Sequence, residues 1–227
     1  MIYIFGGVID LRLRGAKAVL FDLDGTLQDS SQAIMDAVEN VLESRGLICN
    51  RARVAGMIGM PLENIFAVLA PNLSTEEMWQ LVREYREYYM AHHLETTSIH
   101  PSARMLLTKL KARGYKLGIT TGKYREPVIG ALDHFGISEL FDVVVTGYEV
   151  KNHKPAPDIV VEAARRLGVS PKECVVVGDS PFDVEAGNRA GSFTIAVLSN
   201  AYTRRQLENA KPTVIVEELG AIGDLIQ

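Results

Sequence analysis

Short runs rich in β-branched residues recur along this chain, and segments with helical spacing separate them. The runs are KAVLF (17–21), YKLGIT (115–120), FDVVVT (141–146), CVVVG (174–178) and FTIAV (193–197). Each has the length and apolar character of a strand buried on both faces. Between them, PSARMLLTKLKARG (101–114) puts Ala103, Leu106, Leu107 and Leu110 on one helical face and stops at Gly114. EPVIGALDHFG (126–136) and APDIVVEAARRLG (156–168) repeat the plan, each ending at a glycine. Strands alternating with helices in this way predict an α/β chain, with a parallel sheet joined by right-handed crossovers.

One interval breaks the rhythm. Roughly 90 residues separate the first strand from the second, and they carry helical patterns: 30–46, 61–70 and 74–93. In the last, Met78, Leu81, Val82, Tyr85, Tyr88 and Tyr89 form a stripe that fits helix–helix packing. An all-helical insertion of this size reads as a second domain. The expected division is a core of 1–28 with 100–227 and a helical domain of 29–99, connected near 28–30 and 96–101 so that it could move as a lid. His92 and His93, on different sides of that helix, are expected to be solvated. Residues 1–15 fit an extra edge strand or a turn.

Polar residues follow the strands in a pattern. Asp22 and Asp24 follow the first run, and Thr121, Gly122 and Lys123 the second. Lys151 and Lys154 come soon after the third, then Asp179, Ser180 and Asp183 after the fourth. Ligands of open parallel sheets bind beyond the carboxyl ends of the strands, so these groups are expected to meet. Each alone has a plainer reading. Asp22 and Asp24 fit a turn, Thr121 and Gly122 a strand-to-helix turn, and Lys154 a solvated loop charge. Asp179 fits a helix cap, with Asp183 in that helix's first turn. An EF-hand loop begun at Asp22 fails, because Leu27 and Ala33 stand where it needs Gly and Glu.

Charge narrows the chemistry. Asp22, Asp24, Asp179 and Asp183 repel one another, and Lys154 offsets only one of them. A proton on one carboxyl, a hard divalent cation, or both would relieve the excess. Oxygen donors without His or Cys favour Mg²⁺ over zinc. A phosphate dianion could then approach, helped by Lys154, the Thr121 hydroxyl and backbone N–H groups. The net charge of −4 argues against non-specific nucleic-acid binding. No apolar stretch reaches the ~18 residues of a membrane span, and the N-terminus lacks the basic start of a signal peptide. Two cysteines make no disulfide framework, and Cys174 fits a small buried hydrophobe. A soluble, cytoplasmic protein acting on a small phosphorylated metabolite is expected.

From about residue 16 onward the chain resembles the haloacid dehalogenase superfamily, which is mostly phosphatases with a Rossmann-like core. DLDGT resembles its first motif, Thr121 its second, Lys154 in KPAPD its third and GDSPFD (178–183) its fourth. The helical insertion resembles a C1-type cap, and GMPLENIF resembles the cap loop of the phosphoglycolate phosphatase and pyrophosphatase branch. One departure is TTGK, where many relatives carry Asn after the Thr. The resemblance implies Asp22 as nucleophile forming an aspartyl-phosphate and Asp24, held protonated, as acid and base. It implies Mg²⁺ on Asp22, the Asp24 carbonyl and Asp179. Thr121, Gly122 and Lys154 would bind phosphate, with Asp183 and Ser180 in support and residues near Arg53–Pro61 facing the leaving group. Phosphoglycolate, pyrophosphate and sugar phosphates are the expected substrates. A dehalogenase would not need Asp24, and a phosphonatase usually lacks it. A β-phosphoglucomutase-like phosphotransferase keeps every motif and stays open as the alternative. A non-catalytic protein-binding regulator would have no use for the intact set.

Overall fold

The computed structural model describes residues 2–4 and 15–226. Strand β1 (Ile2–Ile4) is followed by β2 (Ala18–Phe21), β3 (Gln28–Asp29) and α1 (Ser31–Glu43). Helices α2 (Arg51–Ala55), α3 (Leu62–Leu69) and α4 (Thr75–Thr96) come next, then β4 (Ser98–Ile99). The alternating part runs α5 (Ala103–Ala112), β5 (Lys116–Thr121), α6 (Arg125–His134), β6 (Val143–Thr146), α7 (Asp158–Leu167), β7 (Cys174–Gly178), α8 (Pro181–Ala190) and β8 (Phe193–Val197). It closes with α9 (Arg204–Asn209), β9 (Val214–Val216) and α10 (Ile222–Leu225).

The main sheet has the order β1-β9-β8-β7-β2-β5-β6, all parallel except β1 against β9. β2 lies inside it, between β5 and β7, and its four residues are fully buried. Alternation explains why this run must be apolar throughout. Val19 and Phe21 join a cluster with Leu106, Leu107 and Val128 on one face, while Ala18 and Leu20 pack with Ile159, Val160 and Ala186 on the other. β2 is also the switch point: the chain leaves it for β5 and β6 on one side and returns to β7 on the other.

Helices α1–α4 bury their own cluster, with Val38, Leu42, Phe66, Leu81 and Tyr85 inside. Phe66 meets Tyr85 edge-on, with ring centroids 6.1 Å apart. Ser74 opens the long α4 with a reciprocal capping box to Glu77. The two crossings between this cluster and the main sheet run side by side as the β3–β4 ribbon. No helix among the described residues is long and apolar enough to cross a membrane.

Several expectations change. β9 has three residues and α2 five, too short to stand out as a pattern. An edge strand forms at Ile2–Ile4, while residues 1 and 5–14 lie outside the described residues. His92 is exposed as expected, but His93 is buried, stacked on Tyr89 and bonded through Nδ1 to the Tyr89 carbonyl. One helical turn brings it back beside Tyr89 and over the insertion's core.

Phe66→Ala should destabilise the protein by about 3–5 kcal/mol, because its side chain is fully buried against a neighbour that cannot follow it. Urea denaturation of the variant beside the wild type measures this, and a loss under about 1 kcal/mol would mean the helices repack freely.

Candidate active site

Each charged group reaches one place because of what its strand does at its carboxyl end. The Asp22 N–H donates to the Val177 carbonyl at 2.8 Å, extending the ladder one residue past β2. A tight turn follows: the N–H groups of Leu27 and Gln28 both donate to the Leu23 carbonyl at 3.0 Å, with Leu23 and Leu27 buried as anchors. Gly25 sits inside it at φ +82°, where a Cβ would fall 2.2 Å from Asp179 Oδ2. Only glycine permits both that backbone and that approach. Asp179 follows β7 directly, and Thr121 is the last residue of β5.

The plainer reading of Asp179 as a helix cap is corrected. Ser180 is the N-cap of α8, and its side chain accepts from the Asp183 N–H. Asp183 returns the bond: its Oδ2 accepts from Ser180 Oγ at 2.5 Å. This leaves Asp179 free to face the site and locks Asp183 in the first turn.

Lys154, from the loop after β6, is buried among acids. Its Nζ donates to Asp22 Oδ1 at 2.8 Å, Asp183 Oδ1 at 2.5 Å and the Thr120 carbonyl at 2.6 Å. Burial opposes its charge, but Asp183 and Asp22 outweigh that and raise its pKa. Lys151 is exposed.

Asp24, the expected acid and base, meets three donors: Lys123 Nζ at 2.9 Å, Gln28 Nε2 at 2.8 Å and Ser30 Oγ. Lys123 also donates to the Tyr89 hydroxyl at 2.7 Å and lies 4.3 Å from the Tyr89 ring centroid. Burial pulls the Lys123 pKa down, but Asp24 and the tyrosines raise it overall.

Two other carboxyls resist ionisation in the metal-free site. Burial pushes Asp22 well above the usual carboxylate range; Lys154 pulls it back, while Asp183, Asp179 and Asp24 push it further up. Burial and the neighbouring Asp183 push Asp179 up to about 7, although Ser199 Oγ donates to its Oδ2 at 2.7 Å.

Four carboxylates therefore face two lysines, an excess that a divalent cation would match. Asp22, Asp179 and Asp183 each offer an oxygen, all within 4.8 Å of one another. An oxygen-only donor set with two carboxyls resisting ionisation fits a hard cation such as Mg²⁺.

Asp22, Asp24, Thr121, Gly122 and Lys123 line one cavity of about 460 Å³, capped by the helical insertion. Lys154, Asp179, Asp183 and Ser180 pack around Asp22 behind it. The Thr121 hydroxyl accepts from the Lys123 N–H at 3.3 Å. The insertion reaches the sheet edge elsewhere too. The Tyr202 hydroxyl donates to the Ile58 carbonyl at 3.1 Å, and Glu63 accepts from the Tyr124 and Tyr148 hydroxyls. Lys123 joins the site from the end of its strand, as its position after Thr121 led us to expect, but its pairing with Asp24 and Tyr89 was not foreseen. Gln28, Ser30 and Ser199 were not expected to serve the site, and nothing local marks Ser199.

Comparison with known proteins places the chain in a family. The haloacid dehalogenase-like hydrolase family matches residues 19–197. Pyrophosphatase PpaX of Bacillus velezensis is 34% identical over 89% of this chain and 92% of its own, and that of Bacillus cereus AH820 is 33% identical over 89% and 93%. Among solved structures, a haloacid dehalogenase-like hydrolase from Streptococcus pneumoniae superposes with a TM-score of 0.84 at 27% identity, covering 94% of this chain and 99% of its own. A predicted phosphoglycolate phosphatase from Haemophilus somnus does so with 0.84 at 26%, covering 94% and 99%.

Asp179 also sets a pH dependence. In the metal-free folded protein it keeps its proton to about pH 7, whereas the unfolded chain releases it near 3.8. Between those values the folded state holds more protons, so its stability falls as pH rises. In chelator, wild type should lose up to about 1 kcal/mol per pH unit relative to Asp179→Asn between about pH 4 and 7. Urea unfolding of both proteins at several pH values measures the difference, and a flat one would show that Asp179 ionises freely.

Proposed function

The chain belongs to the haloacid dehalogenase-like hydrolases and is a phosphatase, and from that premise we propose a Mg²⁺-dependent phosphomonoester hydrolase working through an aspartyl-phosphate on Asp22. The observation that carries it is the meeting of Asp22, Asp24, Thr121, Lys154 and Asp179 at one sheet edge. Relatives named as pyrophosphatase and phosphoglycolate phosphatase make pyrophosphate and phosphoglycolate the first substrates to try. The helical insertion, residues 29–99, acts in this reading as a cap domain that closes over the substrate.

Lys154 holds one oxygen of Asp22, which fixes the carboxylate and leaves the other oxygen to attack phosphorus. As the new bond forms, the bond to the leaving oxygen breaks, and Asp24 gives that oxygen a proton. Resting Asp24 is ion-paired to Lys123, so the proton arrives from solvent or with a singly protonated phosphate. Asp24 then takes a proton from the water that attacks the aspartyl-phosphate, which restores Asp22 and releases phosphate. Thr121, the Gly122 N–H and Lys154 stabilise charge on the equatorial oxygens. Asp22, Asp179 and the Asp24 carbonyl would hold Mg²⁺, which supplies electrostatic stabilisation to the phosphoryl oxygens. Asp183 orients Lys154, and Ser180 orients Asp183.

Asp22→Asn should retain less than about a thousandth of the wild-type rate and trap no labelled aspartyl-phosphate in acid-quenched reactions. Phosphate release should also stop in EDTA and resume with Mg²⁺. Undiminished turnover by the folded variant would sink the nucleophile assignment. Activity that survives full chelation would sink the metal requirement.

A further inference from the structure

The cavity of about 460 Å³ is much larger than a phosphoryl group needs. It falls within the range of pockets for whole small molecules, roughly 300–1,000 Å³. The carboxylates occupy one end. Beyond them the walls are apolar and aromatic: Ile58, Leu62, Ile65 and Met90, with the rings of Tyr85, Tyr89, Tyr124 and Tyr148. The rings form two stacked pairs. Tyr85 and Tyr89 have centroids 5.5 Å apart, Tyr124 and Tyr148 3.7 Å, each pair tilted by 13°. Arg86 covers Tyr124 and Lys123 lies over Tyr89, so the pairs give the cavity a rigid aromatic wall instead of open ring faces.

The cations that line the cavity already have partners. Lys123 pairs with Asp24 at 2.9 Å, Arg83 with Glu76 at 3.6 Å and Arg86 with Glu126 at 3.8 Å. Arg86 also lies 3.7 Å over the Tyr124 ring. Glu87 and Glu126 add negative charge to the lining. Lys123 is the buried cation of the three and is held by Asp24, while the arginine pairs are long and exposed, so a leaving group with its own phosphate or carboxylate would find only solvent-screened arginines that already have carboxylates beside them.

We infer that the leaving group is an uncharged alcohol bearing an apolar or aromatic ring, so that the substrate is the phosphate monoester of such an alcohol. This rests on the phosphatase reading above and narrows it away from pyrophosphate and phosphoglycolate. Ring and phosphate take opposite ends of one cavity: the rings and aliphatic side chains of the insertion hold the first, and the sheet edge holds the second.

The test compares kcat/KM for 2-naphthylmethyl phosphate, ethyl phosphate, phosphoglycolate and pyrophosphate with the full-length protein and Mg²⁺. The first two leave as primary alcohols, so their ratio reports the ring and not the leaving-group chemistry. 2-Naphthylmethyl phosphate should exceed each of the others by about tenfold or more. Met90→Asp places a charge in the wall at a position 44% exposed, where folding tolerates it, and should bring the naphthylmethyl-to-ethyl ratio down toward one. A higher kcat/KM for ethyl phosphate, phosphoglycolate or pyrophosphate would overturn the inference, as would a ratio untouched by Met90→Asp. Phosphate release from none of the four would overturn the hydrolase reading itself, and the inference with it.

Discussion

Four carboxylates forced together at the end of a buried strand are the constraint on which the rest of this structure depends. Burial and mutual repulsion both oppose their charge, so each needs a donor, a proton or a cation. Two lysines answer in different ways. Lys154 ties Asp22 to Asp183, joining the strand end to the first turn of α8. Lys123 ties Asp24 to Tyr89, joining the sheet edge to the helical insertion. The glycine turn at Gly25 and the cap at Ser180 follow from the same demand: the first lets Asp179 approach, and the second keeps Asp183 still.

The helical insertion and the sheet have separate apolar cores and meet through polar contacts. Glu63 receives two tyrosine hydroxyls, Tyr202 reaches a carbonyl of the insertion, and Arg86 lies on Tyr124. Such a boundary holds the insertion in place without fusing the two cores. Lys123 has a particular place in it. It pairs with Asp24 and touches α4 at once, so one side chain spans the sheet edge and the insertion.

Much of this was legible in the chain. The strands were visible as short apolar runs, because both of their faces are buried, and the principal helices and the insertion as periods of 3.6, because one buried face imposes that spacing. DLDGT and GDSPFD were legible because their polar residues directly follow apolar strands. Other features were hidden. The lysine 99 residues from Asp24 that reaches its carboxylate, and the burial beside Asp183 that pushes Asp179 up, leave no local mark in the chain. Ser199 and Gln28 look like ordinary polar residues until the fold brings them against an acid. His93 was read as solvated because its neighbour is, yet one step around the helix takes it from water into the insertion's core.

By itself the sequence determined what local chemistry can dictate: parallel strands, helices of the right length, a glycine where the turn needs one, and carboxylates at strand ends. Tertiary structure decided which charges meet. Asp22 and Lys154 stand 132 residues apart in the chain and 2.8 Å apart in space. Coulomb energy and desolvation depend on distance and burial, not on sequence separation. For that reason the residue types could announce a phosphate chemistry, but only the fold could say which carboxyls are crowded out of water, which lysine reaches the helical insertion, and how large and apolar the cavity between them is.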